Sequence, residues 1–249
     1  MSTRPKPVTT FRPLLDKAGQ ARLERHLVRQ RKQRCRIVLS GGPGGGKTTA
    51  ADLFRREIGE RVVIVPESAT LLFTGGFPRS AHPQAAAAAQ QAIFQVQRHL
   101  EDVQSVLYPD RILLCDRGTV DGAAYCPDAP DKFFSALGTT FEAELARYDG
   151  VIFFESAAVG GMTIEGGNPV RNETLEQAVA LDTRLRELWM HHPRFILVRH
   201  DASFFKKLAL GLAELDRIVT EHAGDRSSRA KPRRPTSTTR EQPQQPTSL

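Results

Sequence analysis

The chain has 249 residues, 40% of them hydrophobic, and a formal charge of +7. This length holds one α/β domain of about 200 residues with extensions. No run of about 18 apolar residues occurs, so a transmembrane helix is not expected, and "MSTRPKPVTTFRPLL" lacks the apolar stretch and cleavage site of a secretory leader. Three cysteines (Cys35, Cys115 and Cys126) are too few for a disulfide framework and fit a reducing, cytoplasmic setting.

The charge is unevenly placed. Residues 1–36 hold 11 Lys/Arg against 2 Asp/Glu, a net +9, and residues 223–249 hold 6 against 2, a net +4. That leaves −6 for residues 37–222. Basic ends around an acidic body suit non-specific contact with anionic lipid or nucleic acid, or are simply solvated extensions.

In chain order, prolines 5, 7 and 13 mark an irregular start, and residues 14–33 read as a charged, mildly amphipathic helix. "RIVLS" (36–40) is a short apolar run ending at glycines, the first strand. A helix from Lys47 to Ile58 follows, then "RVVIVPE" (61–67) as the second strand. Residues 83–107 carry Ile93, Val96, Leu100, Val103 and Leu107 at helical spacing behind an alanine run that favours helix. "RILLCDRG" (111–118), "GVIFFES" (150–156) and "RFILVRH" (194–200) read as strands three to five. Helices are expected near 172–190 and over 202–221. From Gly224 the sequence is rich in Pro, Ser, Thr, Gln and Arg and reads as disordered. Apolar strands alternating with helices predict a parallel sheet covered on both faces. The expected organisation is a basic extension (1–34), one domain (35–222) and a basic tail (223–249).

"GGPGGGKTT" spans Gly41, Gly42, Pro43, Gly44, Gly45, Gly46, Lys47, Thr48 and Thr49. It matches the phosphate-binding loop G-x-x-x-x-G-K-[ST] and has the required context, a strand before and a helix after. Glycines let successive N–H groups turn inward as an anion nest, and the helix N-terminus adds a positive dipole end. Lys47 is expected to reach the β- and γ-phosphates, and the Thr48 hydroxyl to ligate Mg²⁺.

In an open parallel sheet, ligands sit beyond the carboxyl ends of the strands. Glu67 follows strand two, Asp116 and Arg117 follow strand three, and Glu155 follows strand four. Asp116 is the candidate Mg²⁺ ligand. Glu67 is the candidate acceptor of a hydroxyl proton, and Arg117 the counter-charge for phosphoryl oxygens. The glycine-rich loop at 159–169 and Arg171 beyond it fit a lid that closes over a triphosphate.

This order of motifs resembles small-molecule P-loop kinases. "GGPGGGKTT", "VPESA", "DRGTVDGAAY" and "NPVRNETLEQAVALDTRLRELW" are most similar to the NadR-like AAA-type P-loop family, which includes the ribosylnicotinamide kinase domain. The resemblance covers about residues 36–215. It implies a three-layer α/β fold whose five-stranded parallel sheet has the order 2-3-1-4-5. It also implies ATP and Mg²⁺ as ligands, Glu67 as the acceptor-side acid, Asp116–Arg117 as the acid–arginine pair and Arg171 as the lid arginine. The lid offers fewer arginines than many such kinases, and no arginine finger typical of hexameric motors is visible.

The acceptor region would lie between strands two and three. Arg79, Gln91 and Gln95 are its polar candidates, and Phe73, Phe77 and Phe94 could stack a ring, although Phe94 also suits the core. Trp189 falls in a helical pattern with Leu185 and Leu188 and reads as core. His191 and His192, before Pro193, read as a helix end without metal. Two functions follow: a kinase moving the γ-phosphoryl of ATP to a nucleoside-like hydroxyl, or an ATP- or GTP-binding switch or adaptor whose basic ends bind anionic partners. No NKxD-type guanine reader is present, which favours ATP.

Overall fold

The computed structural model describes residues 35–126, 130–161 and 174–230, and for 130–131 and 223–230 the backbone only. The expected helix at 14–33, the tail beyond Ala230 and Arg171 lie outside the described residues. The strands are β1 (Arg36–Ser40), β2 (Val62–Val65), β3 (Ile112–Asp116), β4 (Gly150–Phe154) and β5 (Phe195–Val198). The helices are α1 (Lys47–Ile58), α2 (Ser68–Thr74), α3 (Pro83–Leu107), α4 (Pro130–Ala136), α5 (Phe141–Leu145), α6 (Leu175–Trp189) and α7 (Phe204–Ala230). A 3₁₀ segment, Thr119–Tyr125, follows β3.

All four strand pairings are parallel, and the order is β2-β3-β1-β4-β5, as the resemblance implies. Side chains alternate across a strand, so each strand feeds two cores. Ile37, Leu39, Leu114, Ile152 and Phe154 pack with Ala50, Phe54 and Ile58 of α1 and with Leu208, Leu215 and Ile218 of α7. Val38, Leu113, Cys115, Val151 and Phe153 pack on the other face with Phe94 of α3, Val120, Phe134 of α4 and Leu181, Leu185 and Trp189 of α6. The chain leaves β1 toward α1 on one face and leaves β3 toward Thr119–Tyr125 on the other. Their carboxyl ends, adjacent in the sheet, therefore flank the crevice where such folds bind ligands.

Two boundaries differ from expectation. α2 forms in a stretch for which no element is expected from sequence; Glu67 is extended and opens a short helical turn before Gly75. α7 continues to Ala230, past the expected end at 221. No proline intervenes, and an established helix adds residues at little cost.

Gly211 lies within α7, where alanine ordinarily favours helix by about 1 kcal/mol. A β-carbon there would stand 2.5 Å from Phe154 Cζ and 3.0 Å from Phe54 Cζ. Both rings are fully buried, so overpacking outweighs propensity. Gly211→Ala is expected to lower stability by about 1–2 kcal/mol in urea unfolding.

Candidate active site

The phosphate loop takes its shape from contacts on its outer side. Gly41 has φ of +136°, and a β-carbon there would lie 2.0 Å from the Phe154 carbonyl oxygen, so only glycine lets the loop pack on the end of β4. Lys47 Nζ donates to the carbonyls of Gly41 and Gly42, both at 2.8 Å. Ser156 Oγ donates to the Pro43 carbonyl, and Lys207 Nζ to that of Gly45 at 2.9 Å. Asp182 Oδ1 accepts the amides of Gly42 (2.7 Å) and Ser156 (2.9 Å), tying the loop to α6 and to the residue two past β4. In a planar trans peptide the carbonyl and the following N–H point opposite ways, so holding the Pro43 and Gly45 carbonyls turns the Gly44 and Gly46 amides away from Ser156 and Lys207. Gly44, Thr48 and Thr49 remain exposed on the loop and the first turn of α1.

Asp116 closes β3 beside this loop. Thr48 Oγ1 donates to its Oδ2 at 2.7 Å, whereas Oδ1 is buried without a hydrogen-bond partner. Burial first, then the charge of Glu67, raises the Asp116 pKa above the ordinary carboxyl value. An orphaned carboxylate oxygen beside a hydroxyl is a hard-oxygen donor set that suits Mg²⁺. Among the described residues no group of three His, Cys, Asp or Glu side chains could hold a metal ion.

Arg117 is the one non-glycine residue with positive φ (+76°) among those described. Its backbone amide donates to the Leu39 carbonyl, and its carbonyl accepts from Gln97 Nε2 at 3.2 Å. Its guanidinium donates to Glu67 Oε1 through Nε at 2.5 Å and to Asp121 Oδ2 at 3.0 Å. Glu67 Oε2 accepts from Thr70 Oγ1 at 2.6 Å. Asp121 also accepts from Ser40 Oγ at 3.0 Å and from Trp189 Nε1 at 2.5 Å. Arg117 is thus strained in backbone and fixed by contacts from Leu39 of β1, Glu67 after β2, Gln97 of α3 and Asp121 of the 3₁₀ segment.

A cavity of about 510 Å³ opens from Pro43 and this floor toward α2 and α3. Glu67, Arg117 and Asp121 line its inner end, with Phe73, Ile93 and Phe94 among its walls. Arg79 lies over the Phe73 ring at 4.6 Å. Three expectations are corrected here. Gln91 and Gln95 are exposed on α3, and the cavity glutamines are Gln90 and Gln97, offset on the helix face that turns inward. Phe77 is not part of the lining and is 36% exposed. Glu155 does not reach the cavity: its Oε2 accepts the His200 amide at 2.8 Å, and Arg186 pairs with Oε1 at 3.5 Å. Trp189 is core, as expected, but also an N–H donor to the floor.

Asp121, Asp182 and Lys207 were not singled out from sequence. Trp189 lies 68 residues from Asp121, Gly42 140 from Asp182 and Gly45 162 from Lys207, and only folding brings these pairs together. Asp121 within "DRGTVD", five residues past the strand-end acid, was the one local hint.

A family model described as an AAA domain matches residues 36–204. The chain belongs to the AAA-domain family. This AAA domain carries a phosphate-binding loop on a nucleotide-kinase-like fold. Thymidylate kinase from Ehrlichia chaffeensis is similar with a TM-score of 0.50 and 13% identity, over 75% of this chain and 98% of that one. At that identity the likeness is one of fold. A comparison with curated proteins gives no match.

Because the raised Asp116 pKa makes its charged form costly when folded, the penalty develops as pH rises through that pKa. Below the unfolded-state value both states are protonated and the cost vanishes. Without Mg²⁺ and nucleotide, Asp116→Asn is expected to raise the thermal midpoint at about pH 7 and to leave it unchanged at about pH 3. Differential scanning fluorimetry at the two pH values checks this.

Proposed function

We propose that this AAA domain is an ATP- and Mg²⁺-dependent kinase that transfers the γ-phosphoryl group to a hydroxyl of a nucleoside-like acceptor. The observation that carries the reading is the Glu67–Arg117–Asp121 floor, which joins the phosphate loop to a cavity of small-molecule size. A loop built only to hold a nucleotide has no use for a paired carboxylate and arginine lining a second cavity.

In this reading Gly41–Thr49 hold the triphosphate, with Lys47 on the β- and γ-phosphates. Mg²⁺, held at Thr48 and Asp116, would neutralise phosphate charge. Glu67 accepts the acceptor hydroxyl proton. That oxygen bonds to the γ-phosphorus as the bond to the β-bridging oxygen breaks, and ADP leaves. Arg117 holds Glu67 in place and faces the charge that spreads over the transferred group. Arg117 is already neutralised by two carboxylates, so the floor favours a hydroxyl over a phosphate monoester. Phe73 and Phe94 offer ring faces for a base. Arg171 would serve as the lid arginine. A NadR-like specificity, a cytoplasmic location, a basic extension (1–34) and tail (223–249) that touch anionic partners, and a 35–222 domain boundary belong to the same proposal. Among the described residues, no helix is long and apolar enough to cross a membrane.

The test is ATP consumption with a panel of nucleosides. An acceptor that speeds ADP formation supports the kinase; nucleotide binding with no accelerating acceptor supports a switch. Lys47→Ala is expected to lose most nucleotide affinity by calorimetric titration. Glu67→Gln is expected to keep that affinity and lose turnover by about 10²-fold or more, the scale of general-base catalysis. Unchanged turnover in Glu67→Gln would remove Glu67 from the chemistry.

A further inference from the structure

We infer that Lys207, a second buried lysine behind the phosphate loop, is a positioning residue whose ammonium sets the loop for phosphate and makes nucleotide affinity depend on its proton. The inference rests on the phosphate-loop reading above and adds a residue outside the motif.

Lys207 sits in the first turn of α7 and is 2% exposed. Its Nζ donates to the Gly45 carbonyl at 2.9 Å and to the Glu155 carbonyl at 2.5 Å, bridging the loop to the residue after β4. The same Nζ lies 5.8 Å from the centre of the Phe154 ring. The neighbouring Phe204 ring packs on Gly46, where a β-carbon would come within 2.5 Å of Phe204 Cε2. The first turn of α7 therefore braces both Gly45 and Gly46.

The consequence follows from peptide geometry. Holding the Gly45 carbonyl outward directs the Gly46 N–H the opposite way, toward the nest where a phosphate oxygen would sit. Gly46, with φ of +85°, is also the residue from which α1 starts. Releasing the Gly45 carbonyl frees that peptide to turn, and a nest that must be reordered on binding has lower affinity.

A neutral methylene chain would fill the same space, so the burial of a charge here asks for a reason. The groups facing Lys207 are Asp182 of α6 and Glu155 at the end of β4. Arg186 of α6 and the His200 amide engage the Glu155 carboxylate, and Lys47 of α1 holds the Gly41 and Gly42 carbonyls. Desolvation outweighs the two carboxylates and lowers the Lys207 pKa to about 8. The ammonium is therefore charged at neutral pH and loses its proton within a mildly alkaline range. A neutral amine is a weaker donor to two carbonyls, so affinity falls as pH rises through that range.

The experiment is titration of ATP with Mg²⁺, followed calorimetrically from about pH 7 to about pH 9.5, on the full chain and on Lys207→Arg, Lys207→Gln and Lys207→Met. The wild type is expected to lose affinity about tenfold with a midpoint near the value above. Lys207→Arg, charged throughout, should flatten the profile, and Lys207→Gln and Lys207→Met should bind weakly at every pH. Unfolding midpoints without ligand separate lost affinity from lost fold. A flat wild-type profile overturns the inference even if every variant fails to fold. Folded Lys207→Met with wild-type affinity overturns it too. A wild type that binds no ATP removes the loop reading itself, and the inference with it.

Discussion

The carboxylate of Asp121 joins three parts of the fold that sequence keeps apart. It accepts from Ser40, the last residue of β1 before the phosphate loop, from Trp189 at the end of α6, and from Arg117 just past β3. Each donor alone is an ordinary contact. Together they set the distance between the phosphate loop and the cavity floor. A buried carboxylate with three donors is well satisfied, whereas one that lost a donor would be costly. The arrangement is therefore rigid for the same reason that it is buried.

Rigidity at that point explains the tolerated strain nearby. Arg117 keeps a left-handed backbone because Leu39, Gln97, Glu67 and Asp121 all hold it. Three carboxylates, Glu67, Asp116 and Asp121, gather around one guanidinium, and Asp116 keeps an unpartnered oxygen. Such a gathering of carboxylates suits a site that receives a divalent cation. The phosphate loop shows a complementary design: Ser156 and Lys207 hold the Pro43 and Gly45 carbonyls, which turns the Gly44 and Gly46 amides the opposite way.

Much of this was legible in the sequence, for physical reasons that differ by element. The loop and its strand–helix context are local, so the motif located them. The alternation of apolar runs fixed a parallel sheet covered on both faces, because each strand had to feed two cores. The strand-end rule placed Glu67, Asp116 and Arg117 together, but it treated Glu155 alike, and Glu155 turned instead to the His200 amide. Helical spacing identified α3 but not the rotation that brings Gln90 and Gln97, instead of Gln91 and Gln95, to the cavity. Trp189 was legible as core, yet its indole N–H acts on a residue 68 positions earlier. Asp182 and Lys207 look like unremarkable helix residues until the tertiary fold sets them against the loop.

The central claim is that the floor beside the phosphate loop directs a phosphoryl group to a second substrate. Phosphorus NMR of the protein with ATP, Mg²⁺ and a mixture of nucleosides tests it most directly. The account predicts a new phosphomonoester resonance that grows with ADP. ADP accompanied only by inorganic phosphate, or nucleotide that stays intact while bound, would contradict it.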